Sequence, residues 1–168
     1  MPCFPPRGSR RCWWRGSNDR SPGEPSGHSS LEIILKSTSA DRQRLVRALE
    51  EFGREHQVPA KALQAADLAL EEHLTNISHY AFDDEAVHDL VVRLSIEEDC
   101  LQVEVEDDGK PFNPLAAPPV DTSVPLDQKP IGGLGLHLIR QFMDQCHYRR
   151  QGGKNLLRMR KRLKVGSP

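Results

Sequence analysis

Six prolines fall within the twenty residues 111–130, and that density excludes both a helix and a central strand there. The chain must therefore build its fold from two ordered stretches joined by a long irregular one. A loop of this length is uncommon inside a compact domain and is typically a cover over a binding site. Residues 111–130 are accordingly expected to form a lid.

The flanking stretches carry regular patterns. Residues 1–30 hold five prolines, four glycines and six serines, and read as a disordered, slightly basic tail with too little apolar material for a core. Order is expected from "LEIILKS" at Leu31, a short strand. Ser39 is placed as the N-cap of a helix over about 40–56, with Leu45, Val46, Leu49 and Phe52 at helical spacing. A second helix should start near Pro59, suited to a first turn, and run to about Tyr80. Its buried stripe would be Leu63, Ala66, Leu70, Leu74 and Ile77. "VHDLVVRLSIEED" and "CLQVEVED" then read as antiparallel strands turning near Glu98-Asp99. Beyond the lid come a helix over about 134–144 and a hairpin, "CHYRRQ" and "NLLRMRKRLKV", around Gly152-Gly153. The order β-α-α-β-β-loop-α-β-β predicts an α+β domain over 31–164, with helices on one face of a mixed sheet.

Bulk properties narrow the function classes. A chain of 168 residues has room for one domain with a real core, and its net charge of −1 gives no global pull toward nucleic acid or anionic membrane. No apolar run approaches the ~20 residues of a membrane span. The four cysteines show no CxxC pair and no metal-ligand spacing with histidine, so a reducing cytoplasm is the expected compartment. Ser9-Arg10-Arg11 before Trp13-Trp14 hints at a twin-arginine export signal, but no hydrophobic segment follows. From Cys146 onward there are eight Lys/Arg and no acid, with Arg158, Arg160, Arg162 and Lys164 alternating along one strand. Without aromatic stacking partners this reads as a solvated sheet face rather than a nucleic-acid stripe, with an acidic protein partner as the intermediate reading.

Three stretches carry candidate chemistry. In "EEHLTNISHY" the 100° turn per residue sets Leu70, Leu74 and Ile77 within about 60° of one another as the core side. Glu72 and Asn76 then share another face one turn apart, while Glu71 is rotated roughly 100° from Glu72. Ala65, Ala69 and His79 lie on the Glu72 stripe, the alanines leaving room beside it. A carboxylate next to an amide oxygen suits a hard cation such as Mg²⁺ and the orientation of a hydroxyl; an ordinary solvated face fits the same spacing. In "VEVEDDGKPFNP", Asp107 ends a strand and Gly109 lets backbone approach a flat ring, although D-x-G also occurs in plain turns. "KPIGGLGLHLIR" brings Gly132, Gly133 and Gly135 to a helix entrance, where free N–H groups and the helix dipole favour phosphate. The context is not the strand-glycine-helix of a Rossmann unit.

Taken in order, E-x-x-x-N, D-x-G-x-P and G-G-x-G-x-x-L-I resemble the nucleotide site of the GHKL ATPases, the superfamily of histidine kinases, gyrase B and MutL. The likeness is greatest to its small anti-sigma-factor serine kinases, the RsbW-like group, and covers about 31–164, with a terminal N-x-L-x-x-x-K at Asn155 to Lys161. It implies the Bergerat fold, a two-layer α/β sandwich with ATP under the proline-rich lid. Glu72 would be the general base and Asn76 a Mg²⁺ ligand. Asp107 would bind the adenine amine, Gly109 would line the base pocket, and Gly132, Gly133 and Gly135 would lie by the phosphates. Tyr80 stands where many members carry histidine, and Asn113 replaces the commoner Asp. The resemblance further implies a cytoplasmic kinase, homodimeric as a family trait, that holds a sigma factor inactive and phosphorylates a STAS-domain anti-anti-sigma protein on serine. A switch that binds ATP without transferring phosphate is the alternative.

Overall fold

The structure, a computed structural model, describes residues 30–36, 38–84, 86–116 and 133–163. Residues 1–29 of the expected tail, most of the lid and Gly132 lie outside the described residues, while Ser30 already belongs to the first strand. Among the described residues there are eight elements: β1 (Ser30–Lys36), α1 (Ser39–Glu55), α2 (Ala60–Tyr80), β2 (Asp89–Glu97), β3 (Cys100–Asp107), α3 (Gly133–Phe142), β4 (Gln145–Gln151) and β5 (Lys154–Arg162).

The strands form one five-stranded sheet in the order β1-β2-β3-β5-β4. The α+β class is as expected, but every pairing is antiparallel, which corrects the expectation of a mixed sheet. The reason is insertion. β3, the lid, α3 and β4 make a crossover that returns β4 parallel to β3, the usual source of a parallel pair. β5 then turns back and fills the slot between them, so the two parallel strands never touch.

Alternation along the strands sorts the two faces of the sheet. Ile33, Leu35, Val92, Leu94, Leu101, Val103, Val105, Leu157 and Met159 point to the helices and are buried with Leu45, Leu49, Phe52, Leu70, Leu74, Ile77 and Ile139. The opposite face is charged. In one cross-strand row Glu32, Arg93, Glu104 and Arg158 stand side by side, with Arg93 reaching Glu32 at 2.6 Å and Glu104 at 3.2 Å, and Arg158 reaching Glu104 at 2.7 Å. Arg160 pairs with Glu98 at 3.7 Å. The basic strand is thus met by acids from β2–β3, which favours the solvated-face reading over a nucleic-acid stripe.

Local details follow from turn and cap chemistry. The cap of α1 is Thr38 rather than Ser39: Thr38 keeps an extended backbone and its hydroxyl accepts from the Asp41 amide at 3.4 Å. That places the acceptor three residues before the donor, the usual capping distance. The two hairpin turns differ instructively. Gly152 and Gly153 adopt φ +60° and +81°, which glycine tolerates, whereas Glu98 and Asp99 hold φ +50° and +60° with full side chains. At the far end, Lys161 donates to the Phe142 carbonyl at 2.7 Å, and Asp144 accepts from the Arg162 amide at 2.8 Å. These bonds pin the C-terminus of α3 to β5, with a cation where the helix dipole favours one.

Candidate functional site

The middle of α2 separates its two adjacent acids. Glu71 turns toward α1 and forms an exposed ion pair with Arg42 at 3.2 Å. Glu72 shares its face with Asn76, whose Nδ2 donates to the Glu72 carbonyl at 2.8 Å and to Glu72 Oε1 at 3.1 Å. Asn76 is only 3% exposed. Both its donor hydrogens point back along the helix, and its Oδ1 receives no hydrogen bond among the described residues. The pair therefore presents one carboxylate and one unfilled amide oxygen, two hard oxygen donors on one helical turn. His79, also expected on this stripe, bonds the Thr75 carbonyl through Nδ1 at 2.8 Å, and Tyr80 is exposed. Ala65 and Ala69 do not leave the open space expected of them: both are buried.

The end of β3 comes against the end of α2. Lys110 N donates to the Ala81 carbonyl at 2.8 Å, and a Cβ on Gly109 would lie 2.6 Å from Ala81 Cβ and 2.8 Å from Ala81 O. No side chain fits at that separation, so glycine is required at 109 by contact. Asp107, 4% exposed, accepts the Gly109 amide at 2.9 Å and Asn155 Nδ2 at 2.7 Å, both on Oδ1. Burial pushes the Asp107 carboxyl above its usual range, and those two hydrogen bonds pull it back. Beyond it, Asn113 Oδ1 accepts the Leu115 amide at 2.9 Å, so the asparagine shapes the start of the lid as a side-chain turn.

Helix α3 packs beside α2. Gly133 and Gly135 sit in its first turn, at the end where free amides are available. The fold thus sets Glu72 with Asn76, Asp107 with Gly109, and Gly133 with Gly135 on three neighbouring elements. No cluster of three or more acidic, histidine or cysteine side chains suited to a metal occurs among the described residues. A Mg²⁺ ion does not require one, since it commonly keeps several waters and takes one or two protein oxygens plus substrate phosphates. Asn76 Oδ1 fits that mode. A groove of about 900 Å³ lies elsewhere, between β1 and α1. No helix among the described residues is long and apolar enough to cross a membrane.

The N-x-L-x-x-x-K stretch assigns no role to Asn155, yet the fold brings this residue into the site. Asn155, 4% exposed, also donates to the Lys110 carbonyl at 2.8 Å, holding both sides of the D-x-G turn. The signal was its place at a strand start opposite Asp107, visible only once β5 is paired with β3.

The chain is similar to known proteins in sequence and in fold. The chain is 31% identical over 94 residues to the serine-protein kinase RsbW of Bacillus mycoides, covering 54% of this chain and 58% of that protein. It is 34% identical over 88 residues to the RsbW of Listeria monocytogenes, covering 50% and 56% respectively. The chain thus spans a little over half the length of the curated relatives it matches. A crystal structure of the RsbU and RsbW domains of a Mycobacterium tuberculosis protein superposes with a TM-score of 0.59 at 15% identity, covering 83% of this chain and 34% of that one. At that identity the likeness is one of fold. The histidine kinase-like ATPase domain model matches residues 35–161. A match running through every element from the end of β1 nearly to the end of β5 places this chain in the histidine kinase-like ATPase domain family.

Proposed function

We propose that this protein is an Mg²⁺- and ATP-dependent serine kinase that acts as an anti-sigma factor, phosphorylating a STAS-domain protein and thereby becoming free to hold its sigma factor. The observation that carries the reading is the Glu72–Asn76 pair: a half-buried carboxylate held at 3.1 Å by an amide whose oxygen is left open. Kinship with serine-protein kinases named RsbW supplies the reaction class, and the span of the relatives leaves partner choice as part of the proposal.

In this reading Asp107 accepts the adenine amine and the first turn of α3 faces the phosphates with backbone amides. Asn76 Oδ1 would hold the Mg²⁺, which when bound neutralises charge on the transferring phosphoryl group. Glu72 takes the proton from the acceptor serine hydroxyl as its oxygen bonds to the γ-phosphorus and the bond to ADP breaks. Residues 31–164 would form the kinase domain, with residues 1–30 as a dispensable extension.

The test is single-turnover phosphorylation of STAS proteins from the same genome at saturating Mg-ATP. Glu72→Gln keeps size and polarity but removes the proton acceptor, and the rate should fall by about 10²–10⁴-fold, the usual worth of a general base. Glu71→Gln, which loses only an exposed ion pair, should be nearly silent. Equal rates for Glu72→Gln and the unaltered protein would remove the catalytic role and favour a non-catalytic nucleotide switch.

A further inference from the structure

The turn after β3 is gripped from the sheet edge by a small polar cluster whose geometry is one-sided. Arg150 stands opposite Asn155 in the β4–β5 register, and Tyr148 lies two residues away on the same face of β4. Tyr148 Oη donates to Asn155 Oδ1 at 2.8 Å, and Arg150 Nη1 donates to the same oxygen at 2.7 Å. Arg150 Nη1 also reaches the Gly109 carbonyl at 2.9 Å, so one guanidinium ties the amide to the turn. An amide whose oxygen receives two donors cannot turn over without facing them with its own N–H groups. Its Nδ2 is thereby committed to the other side, where it meets Asp107 Oδ1 at 2.7 Å and the Lys110 carbonyl at 2.8 Å. The Gly109 amide lands on the same carboxylate oxygen at 2.9 Å. Asp107 Oδ2 receives no hydrogen bond among the described residues, and it is not among the side-chain atoms sealed from solvent without a partner.

We propose that Tyr148 and Arg150 are positioning residues for base selection. By fixing the Asn155 amide they keep one oxygen of Asp107 filled and present the other as a pure acceptor. A base that brings an exocyclic amine to that oxygen is accepted. One that brings a carbonyl there places two acceptors face to face, a mismatch of the kind that gives large discrimination. The cation of Arg150 acts in the same direction, since its charge favours the ionised carboxylate. This inference rests on the nucleotide-binding reading above.

The experiment uses the full chain carrying Arg150→Met, Tyr148→Phe, or both, titrated with Mg-ATP and by competition with Mg-GTP, with thermal melting alongside. Arg150 is exposed, so its replacement is compatible with folding, and each single variant removes one donor from Asn155. The double variant should melt cooperatively and bind ATP about ten-fold or more weakly, as expected for loss of a charge-assisted contact. GTP binding should change little, so the preference for ATP contracts. Arg150→Lys, which keeps the charge but not the fork, should recover part of it. An unchanged preference in the double variant overturns the proposal. So does an equal loss for both nucleotides, which would make the cluster a structural clamp only. Failure of the unaltered protein to bind either nucleotide would overturn the nucleotide reading itself, and that is read before any variant is compared.

Discussion

Acidification should test how α2 is seated on the sheet, through His73. This side chain is 3% exposed, and its Nδ1 is sealed from solvent with no hydrogen-bond partner. Burial alone pushes its pKa down from 6.5 to about 4. The folded protein therefore binds a proton less readily than the unfolded chain. The associated stability is fully present above about pH 6.5 and drains away as pH falls toward about 4. At about 1.4 kcal/mol per pH unit of difference, the loss should reach roughly 2 kcal/mol by about pH 5 and roughly 3 kcal/mol by about pH 4. Urea unfolding of the nucleotide-free protein across that range measures it. Carboxylates titrate in the same window, so the quantity to read is the difference between the unaltered protein and His73→Leu, which cannot protonate. The two stability curves should converge above neutrality to a constant offset and separate by about one proton's slope below it. Curves that stay parallel down to pH 4 would refute the reasoning: His73 would then carry its proton in the folded state, or share it with a partner.

Two further outcomes follow from particular contacts. Asp107→Asn keeps the shape but turns an acceptor into a donor beside the adenine amine, so ATP binding should weaken by about 2–4 kcal/mol, roughly 30- to 1000-fold; calorimetric titration of a variant that still melts cooperatively checks it, and unchanged affinity removes the role. The β2–β3 turn holds Glu98 and Asp99 at positive φ, so Glu98→Asn with Asp99→Gly should raise stability by about 1–2 kcal/mol, visible as a higher urea midpoint at unchanged slope.

Much of this protein is written locally. The period of 3.6 residues on its own separates Glu71 from Glu72 and joins Glu72 to Asn76, because a helix fixes angles without reference to anything outside it. Strand alternation likewise marks the core face of β2 and β3, and the density of proline excludes regular structure from 111–130. The family motifs were legible for the same reason, since each lies within one short segment. What required the tertiary structure was every choice of neighbour. Nothing in the local pattern says that β5 should enter between β3 and β4, yet that insertion makes the sheet antiparallel and sets Asn155 opposite Asp107, 48 residues away along the chain. The same pairing puts Glu104 beside Arg158, so a run of basic residues without an acid in sequence becomes a compensated face in space. Ala65 and Ala69 read as open room on a helical wheel and are covered in the fold, because a wheel shows which way a side chain points and not what packs against it. Local dihedral preferences act within a few residues, whereas burial and strand pairing are decided by segments far apart in sequence that must share one core.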